Sequence, residues 1–321
     1  MAKRVLCIVL ALIVAFSCAF ALTACVKKIP SEKTLDAVLE EGGYKLVFAD
    51  EFDGDGVDYT KWRTGYQTPS RRAAYYEDSA DTLFVSDGVL TIRTLWKDGQ
   101  YGEGWYTSWL ETSTRPDGEG ITHSENYEGF SAKYGYFEVR CIAPPTIGIW
   151  SAFWLMPDEG TGMGPDDVMG TGADGVEIDV MESPWKYATG GKESVQHVVH
   201  GDGYADTKSD KSDRYKVPDM YSEFHTYGVL WTEEEYVFFI DGAETWRTRH
   251  TVDGQTLGVS EVNEYMILSV EVGGHTAEDG TLVEGKEADG SKSWCGNPAK
   301  NDKSKHYDFV IDYVRVYQKG R

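Results

Sequence analysis

The chain has 321 residues, of which 13% are aromatic, enough for one large all-β domain or two ordinary domains. Its formal net charge of −22 argues against nucleic acid as a partner, because phosphate recognition rests on clustered lysine and arginine. An uncharged or basic partner suits such a surface better.

In chain order, residues 1–24 place Lys3 and Arg4 before an apolar run that ends in small residues, the layout of an export signal. Leu22-Thr23-Ala24-Cys25 resembles a bacterial lipobox, so lipid on Cys25 is expected to anchor the chain at the cell surface; an uncleaved membrane-spanning anchor is the alternative. Residues 25–43 then read as the lipidated cysteine and a polar tether, with Leu35, Val38 and Leu39 at helical spacing for one or two turns.

From Tyr44 to residue 319 the pattern changes to short apolar or alternating runs. YKLVFADEF, GVLTIRTLW, KYGYFEVRCIA, GIWSAFWLM, GVEIDVME, SVQHVVH, FHTYGVLW, EYVFFIDGAETWRT, EYMILSVEV and YDFVIDYVRVYQ follow one another across Gly, Pro, Asp and Ser turns. No amphipathic helix separates them, which predicts an all-β sandwich or barrel. Asp241-Gly242 predicts a tight hairpin, whose primed turn needs positive φ. Between Met156 and Val176 the glycine-rich residues 157–175 make a long connection, read as a cleft wall rather than a calcium loop, because the alternating Asp and terminal Glu of such a loop are missing.

That connection leads into GVEIDVMES, where Glu177, Asp179 and Glu182 are interleaved with Ile178, Val180 and Met181. Side chains two apart on a strand share a face, so Glu177 and Asp179 point together. Strict alternation would place Met181 beside them; a one-residue bulge near Val180 and Met181 is needed to bring Glu182 round. Three acids on one face are poor strand design unless solvated or used chemically. Two carboxylates flanking a bond are what glycoside hydrolysis requires. Trp150 and Trp154 share one face of the preceding strand, where sugar rings could stack.

These motifs resemble glycoside hydrolase family 16. EIDVME is similar to that family's signature, supported by LVFADEFDG, KYGYFEVR, WSAFWLMP, FHTYGVLWTEEEYVFFIDG, LSVEVGG and IDYVRVYQ, over about residues 44–319. The resemblance implies a β-jelly-roll sandwich of two antiparallel sheets with a concave cleft, and a retaining endo-glycosidase acting on a β-1,3- or mixed β-1,3/1,4-glucan. It implies Glu177 as nucleophile, Glu182 as general acid/base and Asp179 as the assisting carboxylate. The six-residue form resembles the laminarinase and agarase branch rather than the shorter lichenase form. Two alternatives stay open: the same enzyme class acting on a galactan, and a carbohydrate-binding lipoprotein without catalysis.

The resemblance further implies substrate contacts at His200 and Arg72. Trp185 is either a platform at the cleft end or a core lid. Where many laminarinases carry an arginine in an early strand, YTSWLETS offers Trp109 as a substrate contact. No cofactor is expected for catalysis; one structural calcium is implied, with Glu51, Gly88 and Asp312 as candidate ligands. His197 and His200, three apart on a strand, face opposite sides, so zinc is not expected. Arg71 and Arg72 sit in an early loop that the resemblance brings to the glycone side of the cleft, a solvated loop pair being the alternative. Cys141 and Cys295, the two cysteines of the domain, are either bridged or buried as free thiols. A monomer is expected.

Overall fold

The structure, a computed structural model, describes residues 26–65, 72–115, 121–158, 171–184, 193–203 and 208–320. The signal segment, Cys25, Arg71, Trp185 and most of residues 157–175 lie outside the described residues. Strands dominate. Those that build the cleft and its backing sheet are β1 (Trp109–Glu111), β2 (Gly135–Ile142), β3 (Ile149–Pro157), β4 (Glu177–Pro184), β5 (Ser194–His200), β6 (His225–Trp231), β7 (Tyr236–Ile240), β8 (Glu264–Val272) and β9 (His306–Lys319).

Two ten-stranded sheets form the sandwich of a β-jelly roll. In the first, β5, β4, β3, β8 and β1 are successive neighbours; in the second, β7, β6, β2 and β9 are. Pairing is antiparallel throughout these runs. Two edge pairs are parallel, Val26–Lys28 with Arg214–Lys216 and Tyr75–Tyr76 with Gly102–Thr107. The hairpin joining β7 to Ala243–Thr248 turns at Asp241 and Gly242, with φ of 51° and 75°, as the primed turn requires.

The core lies between the sheets because each strand sends alternate side chains inward. On β3, Ile149, Phe153 and Leu155 join that core, while Trp150, Ala152 and Trp154 belong to a separate apolar cluster on the opposite face. Trp62, Trp105 and Trp231 are wholly buried in the central cluster. Each such side chain contributes on the order of 1.5–3 kcal/mol of transfer free energy.

The segment read as a tether is built into the domain. Val26–Lys28 extends the first sheet, and an eight-residue helix, Leu35–Gly42, ends on Gly43 in the left-handed conformation. Leu35, Val38 and Leu39 cover Tyr136, Leu230, Val237 and Phe239 on the outer face of the second sheet. The helical spacing was legible; the apolar patch beneath it was not, because it is assembled from three strands distant in sequence. Cys141 and Cys295 are free buried thiols in different apolar clusters, so they are not bridged.

Candidate active site

The strand carrying the acids has the bulge its sequence demands. Asp179 pairs with Trp154 on β3 and Val198 on β5, while Glu182 pairs with Ala152 and Gln196. Three residues of β4 thus oppose two on each neighbour. Val180 is the extra one, and both Val180 and Met181 are wholly buried in the central core. Satisfying both inward-pointing residues turns Glu182 to the face of Glu177 and Asp179.

A bulge frees ladder groups, and His197 takes one of them up. Its Nδ1 lies 2.7 Å from the Val180 carbonyl oxygen, and its Nε2 lies 3.0 Å from the Thr245 hydroxyl. The ring stacks on Phe238 at 4.8 Å. Burial lowers its pKa to about 4, so the imidazole is neutral and its Nδ1–H donates to the bulge. His197 therefore fastens the bend that presents Glu182.

On the outer face of the first sheet lies a cleft of about 660 Å³, into which Glu177, Asp179, Glu182, Trp150, Trp154, His200 and Arg72 all project. Carboxylate crowding and burial set its electrostatics. Desolvation, then Glu182 and Glu177, hold Asp179 well above the usual carboxylate range. Glu182 is pushed up to about 8, first by desolvation, then by the charges of Glu177 and Glu271; the Trp150 indole N–H and Lys211 oppose the rise. Asp179 and Glu182 therefore do not titrate independently, and near neutral pH Glu182 carries a proton.

His200 stands opposite Glu177 on β5, with Nε2 3.5 Å from Asp179 Oδ2 and Nδ1 2.5 Å from the Ser209 hydroxyl. Burial, with Lys211 and His250 nearby, lowers its pKa to about 4. It faces the acids as a neutral hydrogen-bonding group. Glu177, Asp179 and His200 also place ligand atoms within 4.8 Å of one another, the one group among the described residues with spacing for a metal ion.

The tryptophans are less open than stacking platforms on a free surface. Trp150 and Trp154 line the cleft but are only 9% and 7% exposed. Trp154 donates its indole N–H to Ser269 Oγ at 3.0 Å. Trp150 meets Trp294 edge-on at 4.1 Å and carries the Arg72 guanidinium 5.0 Å from its ring centroid. Arg72 is held between Glu271 at 3.4 Å and Glu287 at 3.2 Å.

Trp109 corrects the expectation of a substrate contact. It stands opposite Ser269, and Trp154 closes over it with rings 5.3 Å apart, leaving Trp109 3% exposed and outside the cleft lining. The calcium candidates do not fit a metal centre either. Glu51 accepts two hydrogen bonds from Arg315 at 2.8 and 2.7 Å, which hold its carboxyl below the usual range, and Asp312 is paired with Arg140. Gly88 sits in a left-handed turn at φ 75°. With an arginine on each carboxylate, the charge a cation would neutralise is already balanced.

Sequence reasoning missed Glu271, Trp294, Lys211 and Arg214 in the cleft lining. Glu271 had a signal: it sits in EYMILSVEV, an acid inside an apolar strand, the same anomaly that singles out EIDVME. It is 3% exposed, opposite Trp150 on β3.

A family model described as "Beta-porphyranase A-D, GH16 domain" matches residues 45–319. The "Glucan endo-1,3-beta-glucosidase A1" of Niallia circulans is 25% identical over 296 residues, 86% of this chain and 38% of that protein, so the chain spans well under half of that relative. The "Beta-glucanase" of Rhodothermus marinus is 27% identical over 291 residues, 86% of this chain and 85% of the relative. The solved laminarinase from Rhodothermus marinus has the same fold, with a TM-score of 0.63 at 23% identity over 87% of this chain and 98% of that one. The acids, their bulge and the sandwich that holds them sit inside the matched span: the chain belongs to glycoside hydrolase family 16.

Proposed function

We propose that this protein is a retaining endo-glycosidase that hydrolyses internal β-linkages of a glucan containing β-1,3 bonds, at the outer face of a bacterial membrane. The observation that carries the reading is Glu182, its pKa pushed up to about 8, on one face with Glu177 across a bulge and inside a cleft of about 660 Å³. Glu177 attacks the anomeric carbon while Glu182 gives its proton to the departing oxygen, so the C–O bond to the leaving sugar breaks as the glycosyl–carboxylate bond forms. Glu182, now a carboxylate, takes a proton from water, whose oxygen displaces Glu177 and restores both groups. Asp179, protonated between them, donates a hydrogen bond to the Glu177 carboxylate and steadies it as a nucleophile.

The names of the two curated relatives support a glucan, and the description of the matched family model favours a second reading, a galactan. The deciding experiment incubates the protein with laminarin, lichenan, agarose and carrageenan and measures reducing ends, with Glu177→Gln as the blank. Release from laminarin or lichenan supports the first reading. Release only from agarose or carrageenan supports the second, and no release from any of the four leaves a carbohydrate-binding protein. Anchorage belongs to the same proposal: lipid on Cys25 would keep released oligosaccharides near the cell, and fatty-acid labelling that persists in Cys25→Ser would refute it.

A further inference from the structure

Beyond the cleft, a shallow groove of about 560 Å³ runs between the turn at Tyr101 and the hairpin Gly274–Thr276/Leu282–Glu284. Its floor and one wall are aromatic: Tyr75, Trp96 and Tyr101. Tyr101 is 38% exposed, one of three large apolar side chains so exposed among the described residues. It is also preset. Its backbone N–H donates to the Tyr106 hydroxyl at 3.1 Å, that hydroxyl donates to the Gly102 carbonyl at 2.7 Å, and the Tyr75 ring lies 5.8 Å from Tyr101 and 5.1 Å from Tyr106.

The opposite rim is polar and acidic. Asp279 and Glu284 line it, with Thr281 between, and on the aromatic side Glu103 accepts from the Trp96 indole at 3.1 Å. Glu284 accepts from the Trp105 indole at 2.7 Å and pairs with Lys303 at 3.4 Å, whereas Asp279 stands exposed. Ring faces beside carboxylates match a ligand with C–H faces and many hydroxyl donors, and the excess of acids repels an anionic one.

The groove adjoins the cleft through the chain itself. Arg72 lines the cleft and Tyr75 the groove, three residues and at most about 10 Å of extended chain apart. The acidic hairpin starts at Gly274, just past Glu271 in the cleft, and Thr276 donates its hydroxyl to the Arg72 carbonyl at 2.7 Å. We infer that the groove is a remote subsite for an uncharged, β-linked polysaccharide, holding the stretch of polymer that leaves the cleft past Arg72. This rests on the glycosidase reading. A second contact on the same polymer raises its effective concentration at the cleft without touching the bond that is cut.

The test compares wild type with Tyr101→Ala on polymeric laminarin and on laminaritetraose, whose few sugars must also cover the cleaved bond. The ratio of kcat/KM on polymer to that on tetrasaccharide should fall about two- to tenfold, the worth of one aromatic contact. Equal changes on both substrates would overturn the inference. Gel retardation by laminarin, measured for Glu177→Gln with and without Tyr101→Ala, separates this outcome from a failure of the glycosidase reading, because it needs no turnover. Weaker retardation of the double variant supports the groove; equal retardation, or none for either protein, overturns it.

Discussion

Two groups of acids on this sandwich, one beside each sheet, live under opposite rules. On the second sheet, Glu51 faces Arg315, Asp308 faces Arg93 and Asp312 faces Arg140; each carboxylate is matched by a guanidinium, and Glu51 is held below its ordinary pKa. On the first sheet, the dominant charged neighbours of Asp179 and Glu182 are other carboxylates, and both are held above it. The residue type is the same. Pairing makes a carboxylate an inert surface ion, while crowding plus burial makes it an acid that holds a proton at neutral pH.

The most severe break of this contrast is Glu177→Gln or Glu182→Gln. Each should lower kcat on the best polysaccharide by roughly 10²–10⁴-fold or more, with circular dichroism and melting temperature near wild type. A variant retaining most of the rate would remove that residue from the mechanism. The wild-type profile should follow the same logic: Glu182 must be protonated to act, so kcat/KM should fall as pH rises through about 8. A rate that stays flat to pH 10 would contradict the protonated acid.

Trp154→Ala tests the cleft floor. Because Trp154 is buried over Trp109 and bonded to Ser269, truncation should cost about 3–5 kcal/mol in denaturant unfolding, in addition to weaker oligosaccharide binding. A loss of binding at unchanged stability would mean that the ring serves the ligand alone.

Glu264 extends the comparison to a wholly buried acid at the start of β8, raised to about 8 chiefly by desolvation. Its folded pKa exceeds the unfolded value, so the folded state binds the extra proton, and stability declines as pH rises from about 4.5 to about 8. Glu264→Gln removes that titration. The variant should gain on wild type by up to a few kcal/mol between pH 5 and pH 8, and parallel stability–pH curves for the two proteins would refute it.

The mildest effect belongs to the second sheet. Arg315→Met should cost about 0.2–1 kcal/mol, since the pair with Glu51 is partly exposed and screened by water. Hydrolysis should be unaltered; a large loss of rate would show that the two sheets are not so separate.

The catalytic strand was legible because its anomaly is local: three acids and two inward residues in a row admit one arrangement, the bulge. Glu271 and Trp294 were not read as cleft residues because their meaning depends on neighbours. Glu271 becomes part of the cleft only when β8 pairs with β3, and Trp294, 22 residues beyond the end of β8, only when its loop returns to Trp150. Trp109 shows the same limit from the other side. The resemblance at YTSWLETS offered it as a substrate contact, but nothing local could reveal that Trp154 would lie over it. Likewise, the apolar spacing of residues 35–39 announced one or two helical turns in a tether, yet nothing local named the second sheet as their seat.

The bulge at Val180 also sets which changes of chain length the strand can absorb. Removing Met181 would leave Glu177, Asp179 and the former Glu182 at strict two-residue spacing, opposing β3 and β5 one for one, with all three acids still on the cleft face. Removing Ile178 instead would turn Glu177 toward the core. A single lost codon is therefore compatible with the acid triad at one place and ruinous three residues earlier, so the bulge is a point where the gene can shorten without inverting the enzyme's chemistry.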